Sequence, residues 1–520
     1  MATRFPAARL GRMNLTQRTA LTLALSSAAV VTASVLTVPT ATAATAAPAG
    51  PAGSSLSWKP CPADLGGTAG TECADLSLPL DYRAPDGPQV TIAVSRLRSD
   101  RPEARRGTLM VVPGGPGGSG RERLARRGAQ LQAATGGAYD LVSLDPRGVG
   151  GSTHAGCGLE KDDLELTHLR AWPAADGSID ANATRARRIA DACTRNGGAM
   201  LRSLSTANEV RDIDSIRQAL GEKKLSLWGT SYGTYVTASY AQTHPGRTDR
   251  VLLDSTGDPD PSRVGRGWLA NMAGGADDRF PDFARWAADP ARDRRHRIAE
   301  RPEDVRGVVL AVARKLDQAP EQDAAGRPRL TGNRLREALL QSLYSDAAFA
   351  DVARLVVTAR DAGDTPVPYD PVYLPDSDAA VFLGVVCNDV RWPRSLPSYA
   401  RAVAEDRRAH PLTAGMPVNV EACAFWPDGP ADKPVRITPQ GPSNVLMVQN
   451  LRDPATPHRG ALKMREALGD RARMVSVDAG GHGAYLASRD TDGPARECAD
   501  RLATAFLKDG IRPDGDTLCR

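Results

Sequence analysis

A chain of 520 residues, 41% of them hydrophobic, can bury a large core and is long for one compact domain, so a main domain carrying an insertion is expected. The formal net charge of +5 falls to about +1 once Arg4, Arg9, Arg12 and Arg18 near the N-terminus are set aside. No basic stripe interleaves with aromatic residues, which argues against a nucleic-acid partner.

Residues 1–43 have the pattern of an export signal: an arginine-bearing start, the apolar run 21–38, and an A-x-A site ending at Ala43. Ser and Thr in the run, and small residues at its end, favour cleavage over a retained anchor, so no stable membrane insertion is expected afterwards. Residues 44–57 read as a flexible Ala/Pro/Gly/Ser leader, and the mature chain is expected outside the cell. All eight cysteines lie beyond this segment, at Cys61, Cys73, Cys157, Cys193, Cys387, Cys423, Cys498 and Cys519. An even count in an exported chain suggests disulfides, and proximity in sequence suggests the pairs 61–73, 157–193, 387–423 and 498–519, although spacing does not fix connectivity. With no C-x-x-C and no close pair of histidines, neither a metal nor another cofactor is expected.

In chain order, 76–82 and 90–98 read as strands joined by a Pro/Gly/Asp turn. The uninterrupted apolar run 108–112 has the character of a central parallel strand and ends in a Gly/Pro-rich loop, 113–120. A further strand opens the segment 139–152, and residues 205–220 have helical spacing. Leu225 to Trp228 is a short buried strand, followed by Gly229-Thr230-Ser231-Tyr232-Gly233 and a segment that can be helical. Another strand is expected at 251–255. From about 260 to 435 strand-like runs become rare, and helical stretches (303–318, 333–360) dominate an Arg/Asp/Ala/Pro-rich segment. Sheet alternation resumes at 444–450, then a helix near 458–468, a strand at 473–478 and a closing helix at 494–508. Strands alternating with helices mean an α/β fold with a mostly parallel sheet and a large, mainly helical cap insertion. The expected organisation is core 58–258, cap 259–440 and core 441–520.

The G-x-S-x-G pattern at 229–233 places Ser231 on a strained strand-to-helix turn, where its Oγ stands clear of the sheet. A serine hydroxyl needs a base, and the base needs an orienting carboxylate. Of the seven histidines, His482 lies between glycines just past the last expected strand, free to reach over the sheet edge. Asp453 follows the strand at 444–450 and gives the order Ser…Asp…His; Asp254 also follows a strand but reads as structural, and Asp145 precedes the serine. The loop 114–120 lacks the G-K-[ST] ending of a phosphate loop and reads instead as one wall of an oxyanion hole. Its donors would be the N–H of Tyr232 and that of Gly115, with Gly114 as the neighbouring alternative.

Together, GGPGGSG at 114–120, DPRGVGGS at 145–152, GTSYGT at 229–234, DPATP at 453–457 and GGHG at 480–483 resemble the α/β-hydrolase aminopeptidases related to proline iminopeptidase, most of all the secreted bacterial tripeptidyl aminopeptidases. The resemblance runs from about Trp58 to the C-terminus. It implies a serine exopeptidase acting on peptides with a free N-terminus. Proline iminopeptidases usually carry His before the oxyanion glycines and Trp after the serine; here Pro113 and Tyr232 stand in those places, which departs from proline-only specificity. An aminopeptidase must hold an ammonium, for which Asp389 is the first candidate and Glu421 the second. A secreted carboxylesterase or lipase would share the same triad, and a non-catalytic binding protein could share the scaffold.

Overall fold

A computed structural model describes residues 56–362, 367–487 and 493–520. The expected signal segment, and all but the last two residues of the leader, lie outside these. Ten strands form the main sheet. Seven precede the cap: β1 (Lys59–Pro60), β2 (Thr71–Pro79), β3 (Gln89–Leu97), β4 (Gly107–Val112), β5 (Tyr139–Leu144), β6 (Leu225–Thr230) and β7 (Thr248–Asp254). Within the cap, β8 (Glu321–Gln322) and β9 (Pro328–Leu330) make a separate hairpin. The main sheet is completed by β10 (Val445–Arg452), β11 (Ala472–Gly480) and β12 (Thr517–Cys519).

The spatial order is β1-β2-β3-β5-β4-β6-β7-β10-β11-β12. The first three strands pair antiparallel, and every pairing from β5 to β12 is parallel. This is the α/β-hydrolase architecture that the sequence predicts. The central strands are apolar on both sides because both faces are covered. Met110, Val112, Leu227 and Val251 enter one core, while Leu109, Val111, Trp228 and Leu252 enter the other. Register aligns the strand ends: Val112 pairs with Gly229, Thr230 with Asp254, and Asp254 with Val448. The loops after β4, β6, β10 and β11 therefore leave one carboxyl edge of the sheet, the edge where sites of open α/β sheets are built.

The cap has its own core, in which Phe283, Val309, Leu335, Phe349 and Val356 pack together. Its helices include Val264–Ala288, Pro302–Gln318, Asp376–Asp389 and Leu396–Ala409. The continuous helical stretch expected over 333–360 is two helices, Gly332–Ser342 and Phe349–Asp361, separated by a turn at Leu343–Ala348. The cap also recruits a segment that the sequence assigns to the first part of the core. Glu165 bonds Arg334 at 2.6 Å, Trp172 Nε1 donates to Glu337 at 2.8 Å, and Ile179 and Ala183 share a small core with Tyr399, Val403 and Val420. This long connection between β5 and the helix Thr206–Ala219, which includes the helix Asp180–Asn196, gives little sign in the sequence of what it packs against.

Four disulfides join Cys61–Cys73, Cys157–Cys193, Cys387–Cys423 and Cys498–Cys519, with Cα–Cα distances of 4.8, 4.1, 4.8 and 5.7 Å. The pairing follows sequence proximity, as expected, and four such bonds are the chemistry of an oxidising compartment. Among the described residues no helix is long and apolar enough to cross a membrane.

Candidate active site

Ser231 follows β6 directly and caps the helix Tyr232–Thr243 with φ 58° and ψ −127°, a conformation an L-residue adopts only when its surroundings enforce it. The enforcement is visible. The Ser231 N–H donates to the Asp254 carbonyl at 3.0 Å, and the Ser231 carbonyl accepts the Thr234 N–H at 2.9 Å. Gly233 lies so close to β4 that a Cβ there would collide with the carbonyl oxygens of Val112 and Pro113.

Asp453 stands one residue beyond β10, and only 1% of its surface is exposed. Its Oδ1 accepts the N–H groups of Ala455 and Thr456, each at 2.9 Å, and its Oδ2 accepts the Thr456 hydroxyl at 3.0 Å. His482 Nδ1 lies 3.0 Å from Oδ2 and 3.1 Å from Oδ1. A carboxylate accepts hydrogen bonds, so Nδ1 is the protonated nitrogen and Nε2 keeps its lone pair. The loop carrying His482 is tied down on several sides. Asn450 Nδ2 donates to the carbonyls of Gly481 and Gly483 at 2.9 and 3.0 Å, Gly483 N donates to Ser255 Oγ at 2.8 Å, and His482 N donates to the Tyr344 carbonyl at 2.9 Å. Burial by itself would lower the pKa of His482; the adjacent Asp453 carboxylate, with a smaller contribution from Asp254, outweighs it and raises the imidazole above its ordinary 6.5.

Ser231 and His482 line one cavity of about 570 Å³. Pro113, Gly114, Gly115 and Gly118 form one wall and Tyr344 another. The glycine loop after β4 closely approaches Ser231: a Cβ on Gly114 would come within 2.9 Å of Ser231 Cβ and 3.5 Å of its Oγ. No other histidine of the described chain lines this cavity. Elsewhere His244 stacks on Tyr240, His410 Nδ1 contacts Asp277 at 2.6 Å, and His458 Nε2 contacts Ser476 Oγ at 3.2 Å.

The competing acids have structural tasks. Asp145 gathers Ser119 Oγ, Arg121 N and Gly151 N, which ties the glycine loop after β4 to the turn after β5. Asp254 accepts the Ala484 N–H at 2.7 Å and so anchors the histidine loop from below. Of the two candidate ammonium partners, the structure does not bring Asp389 to the catalytic cavity. It lines a separate one of about 610 Å³, where its carboxylate accepts Thr206 N at 2.9 Å and Thr206 Oγ1 at 2.6 Å. Glu421 is different: it is 5% exposed, its Oε2 has no hydrogen-bond partner, and burial pushes its pKa up to about 8 against the pull of Arg170. Arg170 lines the catalytic cavity, whereas Glu421 itself lines a separate pocket of about 260 Å³. Tyr232 is buried, and its hydroxyl donates to Glu209 Oε2 at 3.0 Å, which fixes the first turn of its helix. Sequence reasoning missed Tyr344, Asn450 and Ser255. Asn450 alone had a signal, a polar residue in the apolar strand before Asp453.

Among the described residues no cluster of His, Cys, Asp and Glu could hold a metal ion. A histidine held in one tautomer and a serine on a strained turn share one cavity, an arrangement compatible with acyl transfer.

Comparison with known proteins agrees with this chemistry. The Abhydrolase_4 family, described as TAP-like protein, matches residues 411–519, the stretch that contains Asp453 and His482. A tripeptidyl aminopeptidase of Streptomyces lividans is 30% identical over 483 residues, covering 90% of this chain and 87% of that protein. Serine protease Hip1 of Mycobacterium tuberculosis is 27% identical over 89% of this chain and 91% of its own length. Carboxylesterase B of the same species is 29% identical over 89% of both chains.

Proposed function

We propose that this chain, which belongs to the tripeptidyl aminopeptidase family, is an exported serine aminopeptidase that releases short peptides, tripeptides above all, from free N-termini. The observation that carries the reading is the 3.0 Å contact of His482 Nδ1 with Asp453, in a cavity shared with a serine held at φ 58°. Ser231 Oγ attacks the scissile carbonyl as His482 Nε2 takes its proton. The N–H groups of Tyr232 and Gly115 hold the oxyanion. His482 returns the proton to the leaving amine, and water, activated by the same base, releases the acyl group. Each oxyanion donor is worth about 2.7–4 kcal/mol in such a site.

Glu421 takes the role of ammonium partner. A buried carboxylate with an unpaired oxygen gains most from an incoming cation, and the pairing restores its ionised form. The cap confines the cavity and turns away long folded chains. Export through the segment 1–43 agrees with the four disulfides.

A carboxylesterase is the second reading, favoured by the 29% identity to carboxylesterase B and by a triad that serves esters equally well. Hydrolysis of Xaa-, Xaa-Xaa- and Xaa-Xaa-Xaa-anilides, each with a free and an acetylated N-terminus, separates the two. The aminopeptidase is expected to require the free amine and to work fastest on three residues. Equal cleavage of blocked and free substrates rejects it in favour of the esterase.

A further inference from the structure

The helix Gly120–Thr135 begins at the end of the oxyanion loop, and three of its arginines, Arg123, Arg126 and Arg127, line the catalytic cavity. Positions i, i+3 and i+4 share one helix face, so the three guanidinium groups are presented together. Arg170 and Arg496 complete a set of five arginines around the cavity, against the two aspartates Asp254 and Asp346. Most of this charge is accounted for. Arg126 pairs with Glu122 at 3.0 Å, Arg170 with Glu337 at 3.1 Å, and Asp346 with Arg279. Arg496 Nη2 donates to the Gly480 carbonyl at 2.7 Å.

Arg123 is not accounted for. No carboxylate of the described chain lies within ion-pair distance of it. Its Nη2 donates to Thr230 Oγ1 at 2.6 Å, the residue immediately before the nucleophile. Its guanidinium sits 4.8 Å over the Trp228 ring, and its buried Nε has no hydrogen-bond partner. Arg127, one turn along, donates to the Leu486 carbonyl and to Gln130 and likewise meets no carboxylate among the described residues. A half-buried guanidinium beside the nucleophile, with a buried Nε and no carboxylate in contact, is free to take a carboxylate partner from the substrate. The planar fork of a guanidinium matches a carboxylate.

We propose that Arg123 is a specificity-determining residue that receives a substrate carboxylate within one residue of the scissile bond. The carboxylate comes from an acidic side chain on either side of that bond, or from the free C-terminus of a four-residue substrate. The carboxylate that acts on Arg123 most strongly, Asp254, stands outside ion-pair distance. The inference rests on the aminopeptidase reading and names its substrate class: acidic or very short peptides. Glu421 takes the ammonium, and Arg123 takes the opposite charge near the bond that breaks.

The test uses the full chain and three pairs of free-amine peptides: Ala-Ala-Glu-Ala-amide against Ala-Ala-Gln-Ala-amide, Ala-Ala-Ala-Glu-amide against Ala-Ala-Ala-Gln-amide, and Ala-Ala-Ala-Ala against its amide. Within at least one pair the carboxylate-bearing member is expected to have a kcat/KM about tenfold higher, the size of a charge-assisted hydrogen bond. The pair that discriminates identifies the source of the carboxylate. In Arg123→Gln that ratio is expected to fall to about one, and Arg123→Lys to keep part of it. A guanidinium that only braces Trp228 and Thr230 would slow both members of a pair equally and leave the ratio unchanged, which overturns the proposal. Ratios at or below one in all three wild-type pairs also overturn it, whether or not the variants fold. Absence of cleavage of every peptide, neutral ones included, would instead reject the aminopeptidase reading itself.

Discussion

Replacing Asp453 by Asn changes one atom of the site and should remove nearly all of its activity. The Asn Oδ1 can still accept the Ala455 and Thr456 N–H groups that Asp453 Oδ1 accepts at 2.9 Å, so the loop keeps its shape. The NH2 group then stands where Oδ2 now lies 3.0 Å from His482 Nδ1. Two donors cannot face each other. The imidazole must therefore offer a lone pair at Nδ1 and carry its proton on Nε2, where it can no longer accept from Ser231. The Thr456 hydroxyl, 3.0 Å from Oδ2, can rotate to accept instead, so stability changes little. Loss of the working tautomer in a serine triad costs about 10⁴ in kcat, or about 5.5 kcal/mol. The assay is kcat/KM on a free tripeptide anilide beside a thermal melt, with Tm expected to move by no more than about 3 °C. A folded Asp453→Asn enzyme keeping more than about 1% of wild-type kcat/KM would refute the assignment of Asp453 and the tautomer argument with it.

Three further outcomes follow from the same geometry. Because Asp453 raises the pKa of His482 despite burial, imidazolium persists to higher pH, so the acid limb of the kcat/KM profile should lie above 6.5; a limb at or below 6.5 contradicts the pairing. Gly114→Ala would place a Cβ 2.9 Å from Ser231 Cβ and from the Thr230 carbonyl, and kcat should fall about 100-fold or more, a loss that unchanged turnover would disprove. Glu421→Gln should raise KM for free-amine substrates about tenfold or more and leave N-blocked esters unaffected; an equal effect on both would remove Glu421 from ammonium binding.

Much of the fold was legible because parallel strands buried on both faces read as apolar runs: 108–112, 225–228 and 444–450 became β4, β6 and β10 with ends moved by at most two residues. The placement of Ser231 and Asp453 at one sheet edge was legible because each follows such a run, and that of His482 because it follows the strand expected at 473–478. The edge strands β1 and β12 were not, since two or three residues carry no periodicity; the disulfides Cys61–Cys73 and Cys498–Cys519 bind these ends instead. Side chains that act by tertiary contact were also hidden. Tyr344 reaches His482 through its carbonyl and, edge to face, through its ring, and the turn that presents it interrupts what reads as one helical run. Asp389 is the first ammonium candidate in the sequence, yet its carboxylate is engaged at the start of the helix Thr206–Ala219 by accepting Thr206 N. That contact spans 183 residues of chain, and sequence spacing is blind to it.

The most direct test of the central claim is to react the active protein with a fluorophosphonate and map the modified residue by mass spectrometry. Phosphonylation of Ser231, in the peptide containing Gly229–Gly233, should be stoichiometric with the loss of peptide hydrolysis and should disappear in His482→Ala. Full peptidase activity surviving with Ser231 modified, or inactivation with the label on another residue, would contradict the account.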